Sequence, residues 1–230
     1  LGARSLSRAQ LRAQDPLVEV SYDAQEGCLR AGRAAAPGDV LLRERPALLV
    51  EDCDEDGELL DSEERCFGAL GAFKRLPRPQ QEELLELFCL EHSPPGTPEW
   101  GLEFSDEEFD SEEDSIEALR FLRILRVNGI SVPRGRTGLY PLACRANHSC
   151  RPNATHCINA SGELELVALA PVVAGTELSV AYLSDADLLR PGTWRRKCLR
   201  MTWEFQCTCE RCIGADDARS LRCPACVGEG

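Results

Sequence analysis

The sequence lacks several features that whole classes of protein require. No apolar run approaches the roughly 20 residues of a membrane-spanning helix, so we expect no membrane segment. Basic residues are in deficit, with 26 Lys and Arg against 39 Asp and Glu, and the net charge of −13 makes nucleic acid a poor direct partner. The first residues, 1–4, do not form a signal peptide, and no internal repeat is visible.

The chain instead has the composition of a soluble globular protein. Its 230 residues are 43% hydrophobic and 28% charged, enough for one substantial core and a large insertion. Five of its 13 cysteines follow residue 206 in CxC and CxxC steps. Such spacing suits thiolates that converge on one ion rather than disulfide loops. The cysteines therefore predict metal binding in a reducing compartment, the nucleus or the cytoplasm.

Hydrophobic patterning divides the chain into segments. Strands are predicted at Val40–Leu42 and Leu48–Val50, and helices at Cys66–His92 and at Ile116–Leu125, the latter capped by Asp114 or Ser115. Strands return after Pro133. The pattern indicates an α+β protein with these parts: a lead-in at 1–16, a β-rich part at 17–50, a helical and acidic insertion at 51–115, a second β-rich part at 116–197 and a cysteine-rich segment at 198–230.

A metal site is the first candidate function. Three thiolates come from one short segment that contains Cys207, Cys209 and Cys212. Tetrahedral zinc takes four ligands, and Cys150 is the candidate for the fourth because polar turn residues flank it. Cys223 and Cys226 are the alternative, as part of a local zinc ribbon, and spacing alone does not choose between them.

Three separated motifs, in order and at matching separation, give a family resemblance. Residues 147–153 (NHSCRPN), 175–182 (GTELSVAY) and 205–212 (FQCTCERC) resemble the NHSCxPN, GEELxxxY and post-SET cysteine motifs of SET-domain protein lysine methyltransferases. Residues 128–130 (NGI) and 138–141 (GLYP) are similar to the SET-and-MYND branch. The resemblance covers residues 17–212, interrupted by the insertion.

The resemblance implies a fold and an activity. The fold would be a β-rich SET domain of small, pseudoknotted sheets with a helical insertion and a zinc-binding post-SET tail, an exception to the usual absence of threaded chains. The activity would be protein-lysine N-methylation with S-adenosylmethionine. We expect a monomer that acts on a basic, lysine-containing segment of a histone or another protein, without direct contact to nucleic acid or membrane.

The resemblance also implies roles for single residues. Asn147 and His148 would bind the adenine and amino-acid ends of S-adenosylmethionine, and Asn128 would contact its methionine portion. Phe205 would cover the adenine. Tyr182 matches the active-site tyrosine and would also contact the cofactor.

The chain departs from the family pattern in two places. The GxG turn of the family corresponds to residues 26–29 (EGCL), so Gly27 is the one glycine left to approach the cofactor. The insertion contains too few metal ligands for a MYND finger: Cys53, Cys66, Cys89 and His92.

Structural roles remain as alternatives for several of these residues. Asn147 and Asn153 are also suited to capping turns, His148 to a core position, and Tyr182 to a strand. Tyr140 is suited equally to a pocket wall and to the core. A catalytically silent SET module and a zinc scaffold, each binding a protein partner, are the competing functions.

The acidic segment at 103–114 gives a first prediction. Its eight Asp and Glu residues are either a solvated face or an attractor of basic substrate segments. If they attract substrate, replacing them with Asn and Gln should raise KM for a Lys/Arg-rich peptide at low salt, and added salt should abolish the difference. Steady-state kinetics of both chains test this, and an unchanged KM would leave the segment as a solvated face.

Overall fold

The computed structural model describes residues 21–23, 27–89, 111–159, 161–214 and 216. The strands are β1 Ser21–Asp23, β2 Cys28–Arg30, β3 Val40–Glu44, β4 Leu48–Glu51, β5 Ile130–Val132, β6 Arg136–Leu139, β7 Asn147–His148, β8 Ala154–Ile158, β9 Leu164–Ala168 and β10 Ser179–Val180. The helices are α1 Ser62–Lys74, α2 Arg78–Leu85, α3 Glu112–Asn128, α4 Asp185–Leu188, α5 Gly192–Trp203 and α6 Glu210–Ile213, with a 3-10 turn at Ala143–Arg145.

The described strands form four small sheets. β3, β9 and β8 make one antiparallel sheet in that order, and β4, β6 and β5 make a second. β1 pairs antiparallel with β2. β7 pairs in parallel with β10, although the two strands are far apart in sequence. The inward residues alternate as a half-buried sheet requires, which is clearest in β9, where Leu164, Leu166 and Ala168 are buried.

The two helices within the predicted insertion, α1 and α2, share a core with α3 and a β-sheet. Buried residues of α1, α2 and α3 pack with Leu48, Val50 and Leu139 from β4 and β6. Phe73 of α1 and Phe121 of α3 stack with ring centroids 4.2 Å apart. The insertion is therefore built onto the sheet that carries β5, and it does not form a separate core. The division of the chain into functional segments stays a prediction.

Local signals explain where the helices begin. Asp61 caps α1 in a reciprocal capping box with Glu64, and Pro79 lies in the first turn of α2, where its missing N–H costs no hydrogen bond. The helix predicted at Ile116–Leu125 is confirmed within α3, but its predicted cap was wrong: the cap is Ser111, whose hydroxyl accepts from the Asp114 N–H. Within the predicted range, Leu122 and Leu125 are buried, whereas Ile116 is exposed.

Other sequence predictions can be compared directly. β3 and β4 are confirmed. Strand structure returns at Ile130 rather than after Pro133, because β5 pairs with β6 across a turn at Arg134 and Gly135, both with positive φ. The two interpretations of Tyr140 are resolved in favour of the core. Its ring is fully buried, and its hydroxyl donates to the Gly162 carbonyl at 2.6 Å.

The β7–β10 pair holds the most motif-rich segment in place. Asn153 supports it from the side, because its amide donates to the Glu177 carbonyl at 2.8 Å and accepts from the Ser179 N–H at 2.8 Å. This clasp fixes the register of β10 against the segment that follows β7. The threading of a pseudoknot stays a prediction. None of the helices that the structure describes has the length and hydropathy needed to cross a membrane.

A buried carboxylate secures the backbone before β7. The Glu44 side chain is 5% exposed and accepts from the Leu142 and Ala143 N–H groups at 2.9 and 2.8 Å. Burial raises the pKa of Glu44 from 4.5 to about 7, against the lowering effect of those two N–H groups. Ionisation of Glu44 in the folded protein therefore costs free energy. The side chain is nevertheless needed at the 3-10 turn, because it accepts hydrogen bonds from two buried N–H groups.

The raised pKa of Glu44 predicts a pH dependence of stability. A carboxyl with a raised pKa in the folded state adds stability below its ordinary pKa of 4.5, and this contribution is lost as the pH rises through about 7. The unfolding free energy of the wild type should therefore fall by about 3 kcal/mol between pH 4.5 and 7.5 because of Glu44. Glu44→Gln should abolish this fall.

Urea unfolding at several pH values measures this decrease. Glu51→Gln, the same change at an exposed strand position, should keep the wild-type profile. Identical pH profiles for wild type and Glu44→Gln would contradict the raised pKa.

Candidate functional site

A cleft of about 1020 Å³ lies between the end of α3, the segment around β7, and the chain that follows α5. Its lining includes all six residues predicted to contact a cofactor: Gly27, Asn128, Asn147, His148, Tyr182 and Phe205. The structure thus brings together residues from five separate parts of the sequence. Their individual contacts with a ligand stay predictions.

Tyr182 is held at the wall of the cleft by its hydroxyl. The Oη donates to the Ala146 carbonyl at 3.0 Å, and the ring lies 5.3 Å from the Trp203 ring and 6.3 Å from the Phe205 ring. Burial raises the pKa of Tyr182 above its ordinary value of 10. The phenol is therefore neutral at physiological pH, which suits a hydrogen-bonding role rather than that of a base.

His148 connects Tyr182 to the cysteine cluster. Its Nδ1 accepts from the Tyr182 N–H at 3.0 Å, and its Nε2 lies 3.3 Å from the Cys150 Sγ. Because Nδ1 is the acceptor, we infer that the proton is on Nε2 and points to the sulfur. The imidazole ring of His148 therefore has a structural role, because it connects the Tyr182 backbone to the Cys150 sulfur.

The two predicted asparagines are partly engaged within the protein. Asn147 donates through Nδ2 to the Glu177 carboxylate at 2.8 Å. Asn128 donates through Nδ2 to the Phe88 and Ile124 carbonyls, both at 2.8 Å. These bonds use both N–H donors of Asn128, so its Oδ1 is the side-chain atom with capacity for a ligand.

An aromatic wall is built where α5 ends. Glu204 adopts a left-handed conformation, with φ of 58°, and turns the chain back toward the cleft. Trp203 donates through Nε1 to the Val127 carbonyl at 3.0 Å and so ties this turn to α3. Phe205 then lies 6.0 Å from the His148 ring. Trp203 was missed in the sequence because a single tryptophan at the end of a helix has no motif.

Gly27 lines the cleft in a turn with positive φ. Its φ is +61°, a conformation that favours glycine, and a Cβ placed there would contact no atom within 4 Å. The neighbouring Cys28 is only 1% exposed and is not part of the cleft lining. In a GxG pattern that begins at Gly27, the second glycine falls at Leu29, which is also buried and outside the cleft lining, so neither side chain enters the cleft.

Four thiols meet beside the cleft. The Sγ atoms of the predicted set, Cys150, Cys207, Cys209 and Cys212, all lie within 4.8 Å of one another. Cys150 and Cys212 are separated by 3.6 Å. Sulfur ligands of tetrahedral zinc, each at about 2.3 Å from the ion, lie roughly 3.8 Å apart, so the four thiols fit a four-cysteine zinc site. Cys223 and Cys226, the alternative ligands, lie outside the described residues.

Without a bound cation, these clustered thiols favour their neutral forms. The hydrogen bond to Cys150, followed by burial, raises the pKa of Cys207, and burial raises the pKa of Cys212. Clustered thiols disfavour one another's ionisation, whereas a bound cation makes them ionise together. This arrangement is therefore suited to metal ligation rather than to nucleophilic chemistry.

Further residues of the site were not predicted. His156 belongs to no sequence motif, yet it lines the cleft, and burial lowers its pKa. Arg195 and Arg211 are buried next to the thiols. In the sequence, such arginines look like ordinary charged residues on a helix surface. Only the tertiary structure shows which face of a short helix is buried.

The protein is a β-rich domain of small sheets. Residues of the three motifs line its cleft, and the cysteine segment with its thiol cluster borders that cleft. A family model described as "SET domain" matches residues 27–183. This is more than half of the chain, which therefore belongs to the SET-domain family. The predicted resemblance to the SET-and-MYND branch is confirmed by the relatives below.

Two relatives share the motif region. Mouse histone-lysine N-methyltransferase SMYD3 is 43% identical over 79 residues, 34% of this chain and 18% of SMYD3. Chicken protein-lysine N-trimethyltransferase SMYD5 is 40% identical over 83 residues, 35% of this chain and 20% of SMYD5. The chain thus spans about a fifth of the length of the curated relatives it matches.

One solved structure, the crystal structure of the SET domain of LSMT bound to lysine and AdoHcy, overlaps 84% of this chain and 53% of that chain. Its TM-score is 0.47 at 16% identity, a likeness too low to add to the family assignment.

The thiol cluster predicts a measurable metal content. The protein purified with zinc should contain one zinc ion per chain by plasma mass spectrometry, and Cys150→Ser should lose most of it because one of four ligands is removed. Cys157→Ser, the same change at an exposed cysteine of β8, should bind zinc normally. Full zinc content in Cys150→Ser would instead favour a site built without this segment.

Proposed function

We propose that the protein is an S-adenosylmethionine-dependent protein-lysine N-methyltransferase. The observation that carries this proposal is the cleft itself, in which the predicted tyrosine and the predicted cofactor residues face one another in a member of the SET-domain family. The names of the relatives support the same reaction, since SMYD3 and SMYD5 are both described as lysine methyltransferases.

The donor would occupy the part of the cleft next to the motif residues. S-adenosylmethionine, when bound, supplies an electrophilic methyl group on a sulfonium. Asn147, the His148 backbone and the Asn128 Oδ1 would hold its polar ends, and the Phe205 ring would cover its adenine. Phe205 precedes Cys207 by two residues, so zinc bound by the four thiols would fix this ring in place.

Tyr182 would orient the acceptor amine. Its hydroxyl is neutral and already donates to the Ala146 carbonyl, so its lone pairs remain as acceptors for an amine N–H or a polarised methyl. A bond between Tyr182 and the reacting groups would align the lysine nitrogen with the methyl carbon. Positioning of this kind is the main requirement of a direct displacement.

The lysine side chain must lose a proton before it attacks, since its ordinary pKa is near 10.4. Apolar lining lowers the pKa of an ammonium group by desolvation, and the cleft provides it through Ile130, Leu166 and Val180. The proton would pass to solvent, and the neutral amine would form an N–C bond to the methyl group as the C–S bond breaks and its electron pair stays on the sulfur of the departing thioether. No dedicated basic side chain is needed for this step.

The substrate would be a protein with a basic, lysine-containing segment. The net charge of −13 favours such a partner and disfavours nucleic acid. The protein would act as a monomer with one zinc ion, in the nucleus or the cytoplasm. Most of the acidic segment at 103–114 lies outside the described residues, so its role in attraction remains a proposal.

A tritium-transfer assay on a protein extract tests the activity. Wild type should transfer methyl groups from labelled S-adenosylmethionine to protein, and Tyr182→Phe should reduce kcat about 100-fold, as removal of an orienting hydrogen-bonding group does. Tyr140→Phe deletes the same atom in the core and should keep kcat, because Tyr140 does not line the cleft.

Binding measured beside transfer separates the competing functions. Equilibrium dialysis should show S-adenosylmethionine bound to wild type and to Tyr182→Phe. Binding without transfer to any protein would support a silent SET module instead. Neither binding nor transfer would support a zinc scaffold.

A further inference from the structure

Arg195 is the largest fully buried side chain in the described part of the chain. It lies on α5 and faces the thiol cluster. Its Nε donates to the Cys150 Sγ at 3.3 Å, and its Nη2 lies 3.8 Å from the Cys212 Sγ. One guanidinium therefore contacts two neighbouring sulfur atoms that come from the two separate chain segments of the cluster.

The other contacts of Arg195 fix its orientation. Its Nη1 donates to the Arg190 carbonyl and to the Asp216 carboxylate, both at 2.6 Å. Asp216 also accepts from Arg211 at 2.8 Å. Because two arginines share this one carboxylate, the group of three retains a net positive charge beside the sulfur atoms. A buried charge is costly unless it is paired.

Four thiolates around one divalent cation carry the complementary charge. Such a centre has a net charge of about −2, and N–H donors to its sulfur atoms lower the energy of that charge. The rigid fork of an arginine can reach two sulfur atoms at once, whereas a lysine offers a single point of charge.

We propose that Arg195 is a positioning residue of the thiol cluster: it compensates the charge of the metal-bound thiolates and fixes Cys150 against Cys212. This proposal rests on the proposed zinc site. Arg211 adds a separate contact to the Cys150 segment, since it donates to the Cys150 carbonyl at 2.8 Å.

Cobalt substitution tests the role of Arg195 without any assay of activity. Cobalt(II) bound by thiolates gives a sulfur-to-metal charge-transfer band, and a cation next to the sulfur moves this band to higher energy. Arg195→Gln should therefore shift the band to lower energy. The same variant should lose zinc to a competing chelator at least about tenfold more readily than wild type, as expected when a group that supports metal ligands is removed.

Two further variants make the result specific. Arg200→Gln removes the same charge from an exposed position of α5 and should leave both readouts at wild-type values. Arg195→Lys retains the charge without the fork and should give an intermediate band. If Arg195→Gln does not fold, a band of Arg195→Lys displaced from wild type supports the proposal, and an unmoved band overturns it.

The outcomes separate this proposal from the metal site on which it rests. A folded Arg195→Gln that binds cobalt with a wild-type band and holds zinc normally would overturn the role of Arg195 alone. A wild-type chain that takes up no cobalt or zinc would overturn both the metal site and the role of Arg195. Methyl transfer enters neither readout, so a silent SET module would not change the result.

Discussion

The meeting of four sulfur atoms is the constraint on which the cleft depends. Cys150 belongs to the segment that follows β7, whereas the other three thiols come from the end of the described chain. Joining them brings the aromatic turn at Trp203 and Phe205 against the wall that contains Tyr182. His148 extends this link from the Cys150 sulfur to the Tyr182 backbone. The thiol cluster and the cleft wall that contains Tyr182 therefore form one connected structure.

The sheets alone are too small to provide that rigidity. The β7–β10 pair is only two residues long, and short isolated strand pairs are marginal in water. Hydrogen bonds from side chains supply the rigidity that the short strands lack. Asn153 clasps β10, and Glu44 holds the backbone before β7 in spite of the cost of its buried charge. Polar groups whose burial costs free energy thus lie next to β7 and β10, where the motif segment must keep its position.

Sequence patterns predicted the features that depend on local order. β3 and β4 follow from apolar runs, and the motif resemblance named the residues that line the cleft. Features that depend on tertiary contacts were not predicted. Nothing near Tyr140 in the sequence shows that Gly162 accepts its hydroxyl, and no spacing rule distinguishes the buried Arg195 from the exposed Arg200. Such residues are identified only when the packing of distant segments is known.

Isothermal titration of S-adenosylmethionine tests the link between the thiol cluster and the cleft most directly. The zinc-loaded protein should bind the ligand with micromolar affinity, and the same protein after removal of zinc should lose that binding, because Phe205 and its turn are no longer held. Circular dichroism of both samples shows that the rest of the fold persists. Equal affinity with and without zinc, or no binding to the zinc-loaded protein, would contradict a cleft completed by the metal.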